Sequence, residues 1–186
     1  MRRASAFLAS PLVLLLTSCG THVDLVSLPT RPFTDKVQRV FLVYTPPPGG
    51  SGHLQTELDR ALVTRLQGRG VVCQGWVRNP LDLHEEEKLA AAMAQFKPRH
   101  RLALGQGALQ DSRSWSPGGP FNTGGTATET HATTMELELR DLATQEVVWK
   151  GRLACTSSAS ELNAATVADR IMDALGQDGV IPAAVK

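Results

Sequence analysis

The first 18 residues limit what the rest of the chain can fold into, because they form a segment that is expected to be removed. Arg2 and Arg3 supply positive charge, and residues 7–16 are mostly apolar. This order is typical of a secretory signal peptide. A membrane-spanning helix needs roughly 20 apolar residues, whereas this run is about half as long and contains Ser10 and Pro11. The folded protein is therefore expected to start at residue 19.

The residues around the expected cleavage site are Leu16, Thr17, Ser18, Cys19 and Gly20. They resemble the lipobox of bacterial lipoproteins, in which the cysteine sulfur receives a diacylglycerol and the new amino terminus is acylated. The resemblance implies that Cys19 anchors the protein to a membrane through its acyl chains. Gly20, rather than Asp, favours the outer membrane, with the domain on its periplasmic face. The alternative is ordinary signal-peptidase cleavage, with Cys19 as an incidental thiol.

The composition of the remaining chain fits one ordinary domain. Cleavage before Cys19 leaves 168 of the 186 residues, enough to bury a single core without disulfides. The loss of Arg2 and Arg3 reduces the 19 basic side chains to 17, against 18 acidic ones. This near-neutral balance gives no support for a nucleic-acid partner.

The segment after Cys19 predicts a tether. Residues 20–36 show no sustained hydrophobic period and contain Pro29 and Pro32. The predicted organisation is thus a signal peptide over residues 1–18, a lipidated cysteine with its tether over residues 19–36, and a single periplasmic domain over residues 37–186.

The domain opens with a strand–helix–strand pattern. Residues 37–44 end in a β-branched and aromatic run, which predicts a strand that is covered on both faces. Leucines at helical spacing then predict a helix that ends at Gly68 or Gly70. Residues 71–73 predict a second, parallel strand.

A second helix and a third strand follow. Asp82 and Glu85 have the spacing of a capping box, and Pro98 ends this helix. Residues 102–109 predict the third strand, and the Gly-, Ser- and Thr-rich residues 112–130 predict a long loop.

The next segment predicts an antiparallel hairpin. Residues 135–140 alternate strictly between apolar and charged side chains, and residues 141–145 form the turn. In the returning strand the predicted inner face carries Val147, Trp149, Leu153 and Cys155, and the outer face carries Val148, Lys150 and Arg152.

A last helix completes the fold prediction. Ser158 and Glu161 have capping-box spacing, and an apolar stripe runs to Gly176. The order is therefore β-α-β-α-β-β-β-α. It predicts an α/β domain, arranged as a two-layer α+β sandwich with a mixed sheet of about five strands and the helices mainly on one face.

The hairpin carries a resemblance to a known group. Its turn starts at Asp141 and runs into Trp149, Lys150 and Gly151. Together with the lipobox and the closing helix, this resembles small Gram-negative lipoproteins of unassigned function. The resemblance implies a fold like the periplasmic domains of curli-secretion lipoproteins and of lipoproteins that activate peptidoglycan synthases. The chain departs from the group near His100, where an Ala-Asp pair is common.

No catalytic pattern stands out, so the chain is not expected to be an enzyme or to need a cofactor or metal. The histidines are scattered without zinc-site spacing, at positions His22, His53, His84, His100 and His131. Glu85, Glu86 and Glu87 beside His84 are better explained as acidic residues that complement the dipole of a helix start.

Two pairs of side chains remain as candidates. Cys73 and Cys155 both lie in predicted strands, and two buried thiols are favoured over a disulfide. Trp115 and Phe121 lie in the predicted loop and are candidate contacts for a partner. The alternative is that these aromatic rings cover an open edge of the sheet.

The sequence therefore predicts a lipid-anchored, non-enzymatic envelope protein that works through a periplasmic or outer-membrane protein partner in envelope assembly or maintenance. Two other hypotheses stay open. One is a binding module for a lipid or glycan, and the other is a subunit of an oligomeric export or lipid-transport assembly.

Overall fold

The computed structural model describes residues 21–30, 32–33, 36–47, 52–107, 110–116, 126–158 and 162–182. Cys19 and Phe121 lie outside these residues. Within them are seven strands and three helices: β1 (Thr21–Pro29), β2 (Arg39–Thr45), α1 (His53–Gly68), β3 (Val72–Val77), α2 (Glu85–Phe96), β4 (His100–Gln106), β5 (Gln110–Ser116), β6 (Thr126–Asp141), β7 (Val147–Ser157) and α3 (Ala164–Gln177).

The strands form one mixed sheet with the order β1-β7-β6-β4-β2-β3. Strand β2 lies between β3 and β4 and is parallel to both, whereas the other pairs are antiparallel. Strand β5 pairs with the first part of β6. The α+β class and the mixed sheet are as predicted, but the sheet has seven strands rather than five.

The predicted tether is wrong for residues 21–29, which form β1 and pair with β7. Val23 lies opposite Cys155 and is buried, while His22 and Asp24 on either side of it are exposed. Buried and exposed side chains therefore alternate along β1 with a period of two residues. This alternation was obscured by Pro29 and Pro32, which stand at the end of the strand and beyond it, where proline is tolerated.

The predicted long loop over residues 112–130 is also wrong. Strand β5 includes residues 112–116, and β6 starts at Thr126 instead of near residue 135. Threonine is enriched in strands, so the threonines at the start of β6 are compatible with an extended segment although no apolar alternation marks it. Between β4 and β5, the Gly107 N–H donates to the carbonyl of Thr134 at 2.8 Å and holds the chain on β6.

The main core lies between the sheet and the helices α1 and α3. The leucine stripe of α1, including Leu58 and Leu62, is buried as predicted, and Ile171 of α3 is fully buried. The side chain of Trp149 is also fully buried. Each such side chain stabilises the fold by roughly 1.5–3 kcal/mol relative to exposure to water.

Helix α2 lies on the opposite face of the sheet, so the prediction of two layers is incomplete. Leu89 packs with Phe41 and Val43, which point away from the main core. The rings of Phe41 and Phe96 meet edge to face at 5.7 Å, and the Arg39 guanidinium lies 4.6 Å from the Phe96 centroid. An apolar stripe identifies a buried helix face but does not indicate which side of the sheet receives it.

Both predicted capping boxes differ from the structure. The N-cap of α2 is His84, whose N–H donates to Asp82 Oδ1 at 3.0 Å, while Glu85 accepts from Trp76 Nε1 at 2.6 Å. The N-cap of α3 is Asn163, which accepts from the Thr166 N–H at 3.1 Å. Asparagine is as good an N-cap as serine, so the helix starts later than Ser158 predicted.

A β-bulge changes the predicted inner face of β7. Leu139 pairs with Trp149 but its neighbour Arg140 pairs with Val147, so Val148 is the extra residue. As a result Val148 is buried beside Trp149, while Val147 is only half-buried. Trp149, Leu153 and Cys155 point inward as predicted.

Candidate functional site

The strand β1 joins the predicted lipid anchor directly to the sheet, because Thr21 is only two residues after Cys19. Thr21 lies opposite Ser157 of β7, and its hydroxyl oxygen accepts from the Asn163 N–H at 2.8 Å. Further along β1, Arg170 of α3 donates from Nε to the carbonyl of Val23 at 3.2 Å. The first described residues are therefore tied to both β7 and α3.

One face of four adjacent strands has no described helix over it, because α2 packs only against β2 and β3. Cross-strand neighbours on this open face form two rows, which are Val26, Arg152, Glu136 and Gly105, and Leu28, Lys150, Glu138 and Ala103. The same residues line a groove of about 610 Å³. The alternating pattern of the hairpin predicted the charged outer face at Lys150 and Arg152, but the part of the surface on β1 and β4 follows from the tertiary packing and was not predicted.

The open face combines balanced charge with exposed apolar side chains. Arg152 lies opposite Glu136 and Lys150 lies opposite Glu138, so opposite charges are adjacent across β6 and β7. Toward the β1 edge, Val26 is 76% exposed and Leu28 is 68% exposed. Val26 and Leu28 make the β1 edge the most apolar part of the open face.

Trp115 lies on β5, which with residues 126–132 of β6 forms a two-stranded ribbon. Its side chain is 67% exposed, so it does not cover the edge of the sheet. Two ion pairs lie behind it on the ribbon: Arg113 Nη2 is 2.9 Å from Glu129 Oε1, and His131 Nδ1 is 2.6 Å from Asp111 Oδ1. Trp115 is the candidate contact residue that the structure describes.

A buried polar cluster lies between α1 and the sheet. A Cβ on Gly75 would lie 1.6 Å from Asp59 Oδ1, so the carboxylate rests directly against the β3 backbone. Burial raises the pKa of Asp59, and the Tyr44 hydroxyl partly offsets that rise. Burial, with the nearby Asp59 carboxylate second, raises the pKa of Tyr44 well above its ordinary value.

The two cysteines are free and buried, as predicted. Burial raises the pKa of Cys73 to about 11 and that of Cys155 to about 12. Their strands, β3 and β7, are four strand spacings apart in the sheet, or about 19 Å, well beyond the reach of a disulfide. At neutral pH both thiols are protonated and act as apolar core side chains.

A buried histidine is one residue that the sequence reading did not identify. His100 Nε2 lies 3.8 Å from Asp141 Oδ2, and both side chains are buried. Burial acts to raise the pKa of Asp141, but the N–H groups of Ala143 and Thr144, together with the neighbouring His100 and Arg99, outweigh it and the pKa is lowered. This pair holds the start of β4 against the β6–β7 turn and is explained by its structural role.

The described residues show neither a metal-binding group of side chains nor a membrane-spanning helix. Among them, no three or more histidine, cysteine, aspartate or glutamate side chains are grouped so that they could hold a metal ion. In the same part of the chain, no helix has the length and apolar character needed to cross a membrane.

The chain was compared with known proteins. No family model matches it, and no curated protein matches its sequence. It is similar to the PelC dodecamer from Paraburkholderia phytofirmans, with 15% identity over 84% of this chain and 97% of that chain and a TM-score of 0.46. Lipoprotein GNA1162 from Neisseria meningitidis shows 10% identity over 76% and 97% of the two chains, with a TM-score of 0.43. A minor lipoprotein from Acinetobacter baumannii shows 12% identity over 80% and 98%, with a TM-score of 0.37.

Proposed function

We propose that this chain is a lipid-anchored envelope lipoprotein, acylated on Cys19, which acts without catalysis through contacts with another protein in envelope assembly or maintenance. The observation that carries the proposal is the open face, with Val26 and Leu28 exposed at its β1 edge. Strand β1 begins two residues after Cys19, so the anchor places this face close to the membrane surface.

The shape of the open face favours a protein partner over a small ligand. Small-molecule sites usually enclose 70–90% of the ligand surface, whereas the groove of about 610 Å³ lies along a sheet face that has no described cover. Its charges are paired across strands, and its apolar side chains lie at the β1 edge. A protein partner that covers the β1 edge would bury the exposed apolar side chains there.

The proposed compartment is the periplasmic face of the outer membrane. This rests on Gly20 after the lipidated cysteine, in place of an aspartate. With β1 part of the sheet, Gly20 is the only residue between Cys19 and the fold, so the partner must lie close to the bilayer.

Photo-crosslinking from the open face tests the proposal. A photoreactive residue replaces Leu28, and the matched control replaces Asp173, which is exposed on α3 on the other side of the sheet. We expect one discrete crosslinked protein from position 28, none from position 173, and loss of the product when Val26→Asp is added. Equal products from both positions, or no product from position 28, would contradict the proposal.

A second candidate is the binding of a lipid or glycan in the groove. Ala103 and Gly105 leave space there, and the Glu136 and Arg152 side chains offer hydrogen bonds. A thermal-shift screen with envelope lipids and glycans tests it, because a ligand that binds only the folded state raises Tm. Stabilisation that Gly105→Leu abolishes would support this second candidate.

A further inference from the structure

Three residues on neighbouring strands lie at the same level of the sheet. Thr21 at the start of β1 is opposite Ser157 of β7, and Ser157 is opposite His131 of β6. These three residues lie at the end of the sheet where β1 begins, which is the end nearest to Cys19 along the chain. The anchor and the start of the ribbon therefore lie at the same end of the molecule.

The ribbon extends past this level. Within the part of the chain that the structure describes, residues 126–130 of β6 pair with β5 and not with β7, which adds about 16 Å of two-stranded ribbon. Trp115 is opposite Ala127, four residues beyond His131, or about 13 Å past the level of Thr21.

The predicted anchor cannot extend as far as the ribbon. Only Gly20 lies between Cys19 and Thr21, so the Cα atoms of Cys19 and Thr21 are at most about 7 Å apart. The ribbon therefore contacts the bilayer that holds the acyl chains of Cys19 before the body of the sheet does. The excess of about 6 Å at Trp115 is similar to the depth of one headgroup layer.

The chemistry of the ribbon suits that layer. Arg113 pairs with Glu129, and the His131 ring contacts the Asp111 carboxylate, so these charged side chains are paired within the ribbon and not with lipid headgroups. Trp115 lies beyond both pairs and is 67% exposed. Tryptophan is enriched at membrane–water interfaces because its ring is amphipathic, with an apolar body and one N–H donor.

We propose that Trp115 inserts into the headgroup region of the bilayer to which Cys19 is anchored, so that the ribbon is a second point of membrane contact and fixes the tilt of the domain. The occupant is the lipid interface, and not the protein partner predicted for Trp115 from the sequence. The inference rests on the proposed acylation of Cys19. Because the charges on the ribbon are paired, the contact should not weaken as salt is added.

Quenching of tryptophan fluorescence by brominated lipids tests this inference. The acylated protein is purified in detergent, its acyl mass is confirmed, and it is reconstituted into phosphatidylethanolamine–phosphatidylglycerol vesicles with and without lipids brominated near the headgroup. The Trp115 signal is the difference between the unaltered protein and Trp115→Phe. We expect bromolipid to reduce this difference, and the reduction to persist at high salt.

The matched control moves the tryptophan to the other end of the sheet. The double variant Trp115→Phe, Val72→Trp places the ring at an exposed site where β3 begins, opposite Arg39 of β2. We expect no bromolipid quenching from position 72.

Three results would overturn the inference: an unquenched Trp115 in acylated, vesicle-bound protein, equal quenching from both positions, or a Trp115 that is shielded in native membranes but not in pure lipid vesicles. The last would assign Trp115 to a protein contact. These results are distinct from a failure of the proposed function, because a mature protein that lacks the acyl mass would contradict the proposed function before any quenching is measured.

Discussion

The indole of Trp149 donates from Nε1 to Asp178 Oδ2 at 2.7 Å, at the C-terminal end of α3. The Ser27 hydroxyl donates to the same oxygen at 2.6 Å. One carboxylate oxygen therefore joins β1, β7 and α3. Because Trp149 is fully buried, its N–H has no access to water if this acceptor is removed.

Asp178→Ala is expected to lower the free energy of unfolding by about 1–3 kcal/mol, since it leaves a buried indole N–H without an acceptor. Urea denaturation measures the change. Asp173→Ala is the matched control, because Asp173 is exposed on the same helix and should have little effect. Equal losses for the two variants would show that the carboxylate of Asp178 has no special role.

Gly151→Ala is expected to destabilise the fold by about 1–3 kcal/mol through overpacking. The new Cβ would lie 2.8 Å from a ring atom of Trp149, which is fully buried and has no room to move. Gly105→Ala is the matched control in another strand, where nothing lies within 4 Å of the new Cβ. It should leave stability unchanged or raise it by about 0.4–1 kcal/mol. The reverse order of the two Tm values would contradict the packing described for Trp149.

Stability is expected to depend on pH through Asp59. Burial raises the pKa of Asp59 in the folded state, so folding favours its protonated form. This contribution is fully present below the unfolded pKa of about 3.9 and is lost as the pH rises through the folded pKa. Asp59→Asn removes this titrating carboxyl group. The free energy of unfolding of the variant, minus that of the unaltered protein, should therefore increase as the pH rises from the unfolded pKa through the folded pKa of Asp59. Urea denaturation at a series of pH values measures the difference, and a difference that does not change with pH would contradict this account.

Cys73 and Cys155 are expected to resist thiol reagents in the native protein at pH 8 and to react quickly in denaturant. Burial limits access, and pKa values of about 11 and 12 keep both thiols protonated. Reduction should leave the intact mass unchanged. A gain of two hydrogens on reduction would reveal a disulfide and contradict the sheet order.

The parts of the fold that were predicted correctly have strong local patterns. The alternation in β6 and the leucine stripe of α1 each identify one element and its buried face. The parts that were missed depend on distant contacts. Strand β1 is stabilised by pairing with β7, more than a hundred residues later in the sequence, and the ribbon is held by backbone pairing that its Ser- and Thr-rich composition does not reveal. The side of the sheet that α2 covers likewise depends on tertiary contacts and not on a local sequence pattern.

The candidate surfaces also divide into features with a local sequence pattern and features that depend on distant contacts. Trp115 stood out in the sequence as an aromatic residue among glycines and serines, but its distance from the anchor depends on how β5 pairs with β6. On the open face, the charged residues of the hairpin had a sequence signal in their alternation, whereas Val26 and Leu28 had none, because their exposure follows from the absence of a described helix over β1.

Membrane fractionation of a Cys19→Ser variant tests the central claim most directly. The variant is exported with a leader that ordinary signal peptidase removes, so that an uncut leader does not hold it in the membrane. Several acyl chains hold a protein far more firmly than a single chain, and one tryptophan is a much weaker anchor than either. We expect the unaltered protein to sediment with membranes with its acyl chains on Cys19, and the variant to be folded, with the same Tm, in the soluble periplasmic fraction. A variant that still sediments with membranes, or an unmodified Cys19 in the unaltered mature protein, would contradict the account.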